Sequence, residues 1–426
     1  MNNTSGDASL IPFARPSLGK EEEDAVVRVI RSGWLTTAGE ALNFEKEFAA
    51  LFDNAGGGSL PLASKTAPRC FSAAPSNPPA ALAVNSATSG LHLALEACGV
   101  KKGDVVLLPS YTFTATAEVV RYLGADAAFV DCAPKSFNID PNAVEQTVKR
   151  LLDGKSAYPQ GGFKGVPRAI IPVHFAGLCC DMDAIMDIAR RYNLSVIEDA
   201  AHCFPSKLAN GEYAGAIGDA GVFSFYANKT ITTGEGGMIV TRNAELAQRI
   251  SVMRLHGIDR PVWARYTNNA ASWRYDVIEA GYKYNFCDIL AAIGRIQLKK
   301  GNDLLAMRQK AASIYDKAFS GRQELLVPPT GQGDSRQLYP LRLNPCYAKI
   351  SRDDLFKKLT EAGIGVSVHF IPLHTMTYYK NMYSLQDEYF PNAMENFNNE
   401  ISLPIWAGIN DSDVERVSQE VINFVC

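Results

Sequence analysis

Two residues have the type and spacing to do chemistry together: Lys229, inside VFSFYANKTITTGEGGMIVT (Val222 to Thr241), and Asp199, inside LSVIEDAAHC. VFSF is apolar and β-prone, NKTITTGEGG is turn-like, and MIVT resumes a strand, so Lys229 sits where the chain leaves and re-enters a core. An ammonium group there loses hydration, which lowers its pKa and makes the amine a usable nucleophile toward a carbonyl. Upstream, the apolar stretch Leu194 to Ile197 ends in Glu198 and Asp199 at its C-terminal edge. An aspartate at such an edge, with a reactive lysine about thirty residues on, is the pair that pyridoxal phosphate chemistry needs. The lysine forms the Schiff base, and the aspartate pairs with the protonated pyridine nitrogen so that the ring accepts electrons. Taken alone, Lys229 reads as a surface lysine in a turn; the two flanking strands and the upstream acid argue against that.

The elements around the pair alternate. ALAV is a strand, NSATSG a turn and LHLALEACGV a helix. DVVLLP is the next strand, and SYTFTATAEVVRYLG opens the following helix. AAFVDC, a helix from Pro141 to about Leu152, RAIIPVHF and the helix MDAIMDIARRYN lead to LSVIED. This predicts an α/β fold with a mostly parallel sheet and ligands at its carboxyl edge. The small residues after Asn85 leave backbone N–H groups free to hold a phosphate, which a cap by Ser86 or Thr88 would accompany. Before the sheet come an amphipathic helix from Leu18 to Arg31 and a helix from about Glu40 to Phe52. Beyond about Gly301 the pattern changes to a smaller α+β unit: a helix from Asp303 to Phe319, a strand near Gln337 to Leu343, a helix from Arg352 to Ala362, the strand ISLPIW and a last helix, DSDVERVSQEVINFV. We therefore divide the chain into 1–256, with the larger α/β domain, and 257–426, with a connecting segment and the smaller C-terminal α+β domain. Residues 54–79, rich in Gly, Pro, Ala and Ser, read as an inserted surface loop, either covering the mouth of a site or forming a solvated tether.

Composition narrows the class. A chain of 426 residues with 47% hydrophobic residues can bury a sizeable core. A net charge of −3 argues for neither nucleic acid nor an anionic membrane as partner. No apolar run reaches the roughly 18 residues of a membrane span. The N-terminus, MNNTSGDASL, lacks the basic flank and apolar core of a signal peptide. Nine cysteines without CxxC or zinc spacing read as reduced thiols in a cytoplasm, with no metal site. The neighbours Cys179 and Cys180 read as packing. RLHGIDRPVWARYTNNAASWRY is aromatic and basic but not a sustained patch, and reads as a loop on the substrate or dimer side.

The segment EDAAHC…GAIGDAGVFSFYANKTITTGEGGMIVT resembles the DegT/DnrJ/EryC1/StrS family of sugar aminotransferases, which have the aspartate-aminotransferase fold (PLP fold type I). The resemblance runs from about Ile11 to the C-terminus, apart from the 54–79 insertion. It implies pyridoxal 5'-phosphate bound to Lys229, with Asp199 at the pyridine nitrogen and Ala87, Thr88 and Ser224 at the phosphate. It places Phe113 against the ring, although spacing alone reads that residue as buried core. His202 falls where the family has Gln or His near the phenolic oxygen; on its own it reads as structural. In GYKYNFCDILAAIGRIQLKK the resemblance sends Asn285 across a homodimer interface to the partner's phosphate, and the residue types alone allow a helix cap. It puts His369 and His374 near the sugar nucleotide, where relatives often have a basic residue in place of Ile371. Trp34 and Thr36 fall near the substrate pocket, with packing an equal reading for Trp34, while Tyr378 and Tyr379 either stack or pack.

What the resemblance implies is amino transfer from a donor, glutamate by analogy, to a nucleotide-linked keto sugar in cell-surface polysaccharide or lipopolysaccharide assembly. IIPVHFAG, GYKYN and ISRDDLFKKLTEAGIG are closest to the branch that uses UDP-4-keto sugars. The competing readings are a 3-keto-sugar aminotransferase of secondary metabolism and a non-catalytic regulator on the same fold, which would not need both Asp199 and Lys229. A sugar dehydratase would carry His in place of Lys229. An amino-acid aminotransferase would show arginines gripping the substrate carboxylate, and no such arginines are identified in the sequence.

Overall fold

Strands such as DVVLLP and SVIED are buried along their whole length, the pattern of a sheet covered on both faces. The computed structural model describes residues 10–53, 78–159, 161–208, 210–259, 275–331 and 333–426. The insertion read at 54–79 lies outside these except for residues 78–79, as does 260–274 of the aromatic, basic stretch. The strands are β1 (Ala80–Val84), β2 (Asp104–Pro109), β3 (Asp126–Val130), β4 (Val166–Ile170), β5 (Ser195–Asp199), β6 (Ala220–Ser224) and β7 (Gly237–Thr241). They form one sheet in the order β1-β7-β6-β5-β4-β2-β3. β7 is antiparallel to both of its neighbours, and the remaining pairs are parallel. This is the mostly parallel α/β sheet that the alternation predicts. The carboxyl ends of β1, β2, β5 and β6 therefore meet along one edge, joined there by the start of β7.

Local chemistry sets the helix starts. Asp140 caps α5 (Pro141–Leu152), accepting from the Asn142 N–H at 2.9 Å, and Pro141 occupies the first turn, where its missing N–H is no loss. Asp181 caps α6 (Met182–Tyr192) through the Ala184 N–H at 3.1 Å. A second core forms where β8 (Leu325–Leu326), β9 (Tyr339–Leu343) and β10 (Glu400–Leu403) make an antiparallel sheet in the order β10-β9-β8. Ile11, Tyr315, Phe319, Leu341, Leu355 and Val417 pack within it. Among the described residues, no helix is long and apolar enough to cross a membrane, and Cys179 and Cys180 are both free thiols.

One reading of the second half is corrected. The sequence pattern starts a helix at Asp303; the structure starts it at Asp288 and runs a single 32-residue helix, Asp288–Phe319. Glycine in a helix interior loses about 1 kcal/mol relative to alanine. At Gly301 a Cβ would lie 3.3 Å from the Phe204 ring, so the small residue lets the helix lie close to the large core. The helix packs against α1 (Lys20–Ser32) and α2 (Gly39–Ala50) as well as against the terminal helix Asp411–Val425, and so ties both cores together. The short helices Thr377–Tyr383 and Pro391–Asn399 had no sequence signal beyond Pro391, because seven to nine polar and aromatic residues carry little helical periodicity.

The first residue of the long helix also caps another element. α2 has alanine, Ala38, at its N-cap, which offers no side-chain acceptor. Asp288 supplies one from 250 residues away: Oδ1 accepts from the N–H groups of Ala38 (2.7 Å) and Ala41 (3.0 Å), and Oδ2 from that of Glu40 (3.1 Å). Asp288→Ala should strand three N–H groups at a buried helix end, a loss of about 2 kcal/mol or more. A lowered melting temperature by calorimetry is the expected result, and an unchanged one would show that α2 is capped by other means.

Candidate active site

At the carboxyl edge of the large sheet lies a cavity of about 430 Å³, within the usual range for small-molecule sites. Its wall brings together Ala87, Thr88, Phe113, Asp199, His202, Ser224, Lys229 and His369, which come from separate stretches of sequence. Each arrives there for a local reason.

Asp199 ends β5, and strand alternation sends its neighbour Glu198 to the opposite face. Glu198 is fully buried and accepts N–H groups from Gly215 (2.8 Å), Ile217 (2.7 Å) and Gly218 (2.7 Å). It also meets His174 Nε2 at 3.0 Å. His174 Nδ1 accepts the Cys180 N–H (3.0 Å), so its proton sits on Nε2 and is donated to Glu198. Burial alone would raise the Glu198 carboxyl; His174 and these N–H groups hold it below the ordinary range instead. Glu198 is thus an anchor for the loop that feeds β6. Asp199 has fewer donors: the Thr116 hydroxyl at 2.9 Å and the Ala201 N–H at 3.2 Å. Burial raises its pKa, and Thr116, Ala201 and the charge of Lys229 offset this only in part. A carboxylate buried at a cavity wall and short of positive partners fits a cation placed in that cavity, such as a pyridinium.

Lys229 follows β6 in a turn held by distant residues. The Asn228 carbonyl accepts from Arg308 Nη2 (3.1 Å) and Gln337 Nε2 (2.8 Å), while the Gln337 Oε1 accepts the Thr230 N–H (3.1 Å). Arg308 is buried and also donates through Nη1 to the carbonyls of Gln337 and Ile405, at 3.2 Å each. Burial lowers the Lys229 pKa to about 8, Asp199 opposes the shift, and Arg308 adds to it.

The helix α3 (Ala87–Ala97) begins in the same wall. Ser86 caps it by accepting the Ser89 N–H at 3.1 Å, leaving the first-turn N–H groups of Ala87 and Thr88 outside the helix ladder. Gly237 makes the close approach of β7 possible: a Cβ there would lie 2.7 Å from the Ala87 nitrogen. A helix N-terminus beside the Ser224 hydroxyl suits a phosphate. Asn228 Oδ1, also in the wall, is buried with no hydrogen-bond partner among the described residues. These features fit pyridoxal 5'-phosphate.

His202 Nδ1 accepts the Ala176 N–H at 3.3 Å, so its Nε2 carries the proton as a donor. Burial, then Lys229, lowers its pKa well below the usual value and keeps it neutral. Phe113, which spacing alone would place in the core, is 59% exposed, with its ring centroid 6.0 Å from that of Phe370.

Other candidates lie elsewhere. His374 is corrected: it is fully buried, with Nδ1 2.5 Å from the Ser110 hydroxyl and its ring stacked on Phe390, so it cannot touch a ligand. Trp34 and Thr36 are exposed and do not line the cavity; Trp34 edges a separate depression with Arg28, Asn43 and Asp288. Asn285 does not line it either. Its Nδ2 donates to Thr37 Oγ1 (2.7 Å) and its Oδ1 accepts from Lys283 (2.6 Å), while Cys287 holds the N-cap of the long helix. Tyr379 is buried edge-on to Phe129, and Tyr378 and Ile371 are exposed. Thr116, Arg308 and Gln337 were missed. Only Arg308 had a signal: a cation on the buried face shared with Leu304, Ala311 and Tyr315.

Comparisons with known proteins bear on the chain as a whole. The profile of the DegT/DnrJ/EryC1/StrS aminotransferase family matches residues 75–422. MJ1066 of Methanocaldococcus jannaschii is 39% identical over 419 residues, 98% of each chain. SpsC of Bacillus subtilis, a spore coat polysaccharide biosynthesis protein, is 38% identical over 421 residues, 97% of each chain. Among solved structures, the PMP-form of Spr1654 from Streptococcus pneumoniae, named as a proposed sugar aminotransferase, has a TM-score of 0.80 at 28% identity, covering 97% of this chain and 98% of that one. Its PLP-form gives 0.79 at 27%, with 98% and 100% covered.

With its pKa near 8, Lys229 is about one-tenth free amine at pH 7, against about one part in 3,000 for an ordinary lysine. The free amine is the nucleophile, so covalent uptake of pyridoxal 5'-phosphate by cofactor-free protein should quicken as pH rises through about 8 and then level off. Stopped-flow absorbance checks this; an inflection at the ordinary lysine value would contradict it.

Proposed function

The chain belongs to the DegT/DnrJ/EryC1/StrS aminotransferase family, whose cofactor is pyridoxal 5'-phosphate, and from that premise we propose that it moves an amino group from glutamate to a UDP-linked 4-keto sugar. That it is a sugar aminotransferase follows from the family and its relatives. We assign the polysaccharide pathway by likeness to SpsC, and a cytoplasmic location by the free thiols. The observation that carries the reading is the convergence of the Lys229 amine, the Asp199 carboxylate and the α3 N-terminus on one cavity.

Bound there, pyridoxal 5'-phosphate supplies an aldehyde for an amine and a ring that takes up the electron pair released when a carbon loses its proton. The chain's own residues do the rest. The N–H groups of Ala87 and Thr88 and the hydroxyl of Ser224 bind the phosphate, with Asn285 reaching the partner's site in a homodimer. Phe113 covers one face of the ring. Asp199 holds a proton on the ring nitrogen, which requires its carboxylate to stay ionised against burial, and the pyridinium charge favours that. His202 presents its Nε2–H to the phenolic oxygen. Lys229, with its lowered pKa, takes a proton from the donor's α-carbon and returns it on the other side of the transfer. His369 faces the sugar, and Trp34 and Thr36 contribute to substrate binding from the assembled dimer.

Three measurements test this. Asp199→Asn should fold normally, yet lose at least about 100-fold in turnover with saturating cofactor, because an amide cannot stabilise the ring charge; full turnover would move the electron sink elsewhere. Incubation with glutamate and a panel of UDP- and dTDP-linked 4-keto and 3-keto sugars, read by mass spectrometry, should give an amino sugar from the UDP-4-keto members; amination of 3-keto members alone would overturn the assignment. Asn285→Ala and Lys229→Ala proteins, each inactive, should regain about a quarter of wild-type activity when mixed and allowed to exchange subunits, because half the dimers are hybrids with one intact site. Exchange without recovery would mean that Asn285 does not act across the dimer.

A further inference from the structure

His369 lines the cavity with Lys229 and His202, and its Nδ1 leads away into the second core. That nitrogen lies 2.9 Å from the hydroxyl of Ser402, which is in turn hydrogen-bonded to Glu400 Oε1. Glu400 and Ser402 are two apart on β10, so both point to the same side. Both are fully buried. Backbone pairing fixes the spacing: Ser367 and Ser402 exchange N–H···O bonds of 3.1 and 2.8 Å, and the His369 N–H donates to Glu400 Oε2 at 3.0 Å. The other titratable groups facing this cluster are Lys229 and His202 toward His369, and Arg352 and the buried Tyr111 toward Glu400. Arg352 donates to the Glu400 main-chain carbonyl at 3.1 Å.

We propose that Glu400, Ser402 and His369 form a proton relay in which a proton taken up at His369 Nε2 is stored on Glu400, so that His369 switches from hydrogen-bond acceptor to donor without becoming an imidazolium. With Glu400 ionised, Ser402 donates to Glu400 and accepts the Nδ1–H of His369, leaving a lone pair on Nε2 in the cavity. When a proton binds at Nε2, the Nδ1 proton passes to the Ser402 oxygen and the Ser402 proton passes to Glu400. One proton enters, the imidazole ends neutral with its proton on Nε2, and the charge lost is that of the carboxylate.

The surroundings favour both end states over an imidazolium. Burial, then Lys229, pushes His369 down to about 4. Burial pushes Glu400 up to about 8, against the opposing pull of Ser402, the His369 N–H and Arg352. The inference rests on the reading of the cavity as a keto-sugar site. A keto oxygen only accepts hydrogen bonds, whereas the amine that replaces it also donates. A side chain that changes role at one nitrogen can hold both. Glu400 and Ser402 are positioning residues in this scheme, acting on substrate only through His369.

The resting protein provides the direct test. Solid-state NMR of the full chain labelled with ¹⁵N-histidine, with His369 assigned by its loss in His369→Gln, should show a change from Nδ1–H to Nε2–H as pH falls through about 8, with no imidazolium signal. Glu400→Gln, whose amide donates to Ser402, should fix the Nε2–H form at every pH. Ser402→Ala should abolish the pH response while leaving the strand intact. A wild-type tautomer that does not change with pH, or one that still changes in Ser402→Ala, would overturn the relay. In turnover, Ser402→Ala should raise KM for the keto sugar about five-fold with KM for the amino donor unchanged, the loss of one hydrogen bond's worth of discrimination; equal effects on both, or none, would also overturn it. A wild-type protein that aminates no sugar would sink the functional reading alone, since the tautomer measurement needs no substrate.

Discussion

The site depends on holding one amine at a protein–cavity boundary, in a turn that hydration would otherwise favour unfolding. The turn at Lys229 has hydrogen bonds of its own, among them the Lys229 N–H to the Tyr226 carbonyl (3.0 Å) and the Thr233 N–H to the Phe225 carbonyl (3.0 Å), and distant residues add to that hold. Arg308 and Gln337 do so by gripping the carbonyl of Asn228, one residue away. Arg308 is a buried cation bonded to carbonyl oxygens of Asn228, Gln337 and Ile405, which belong to three separate parts of the chain. Its charge does two things at once: it fixes the backbone that carries Lys229, and it disfavours a second positive charge there. Burial does most to lower the pKa of the amine, and the group that supports its backbone adds to that shift. This is why the long helix must run unbroken into the second core, since Arg308 lies beyond Gly301 and still has to reach the β6–β7 turn.

A parallel economy governs the two acids at the end of β5. They are adjacent in sequence and opposite in environment because a strand turns successive side chains to opposite faces. Glu198 meets three N–H groups and a histidine, and its charge is spent on loop geometry. Asp199 meets one hydroxyl and one N–H, and its charge remains available to the cavity. A slip of one residue in β5 would exchange these roles, so the registers of β5 against β4 and β6 are functional constraints as well as structural ones.

Much of this was legible in the sequence, for identifiable reasons. Lys229 and Asp199 are flanked by short apolar strands whose boundaries are marked by Gly, Asn and Thr, so their placement at strand ends could be read locally. Phe113, Ser224 and His202 entered by resemblance, and the structure brings them to the same wall. What could not be read was contact across long separations. Asp288 capping α2, Thr116 supporting Asp199, and Gln337 bracing the lysine turn all join residues tens to hundreds of positions apart. Gly301 misled for the opposite reason: its local propensity favours a break, and tertiary packing against Phe204 overrides it. His374 was misplaced because its motif neighbour His369 does line the cavity, while five residues further on the chain has already turned into the core beside Phe390.

The cavity's electrostatics follow a single rule. Its two buried charged groups, Lys229 and Asp199, are of opposite sign, Glu235 at the wall is exposed, and both histidines are kept neutral. A charged imidazole beside Lys229 would raise the energy of the lysine's ammonium and of itself in a medium that screens poorly. It would also compete for Asp199. Neutral imidazoles avoid that conflict and still offer directed hydrogen bonds, His202 through Nε2–H and His369 through a nitrogen whose role is set behind it by Ser402. A burial environment that suppresses charge is therefore what allows the histidines to orient ligands while the lysine alone moves protons at carbon.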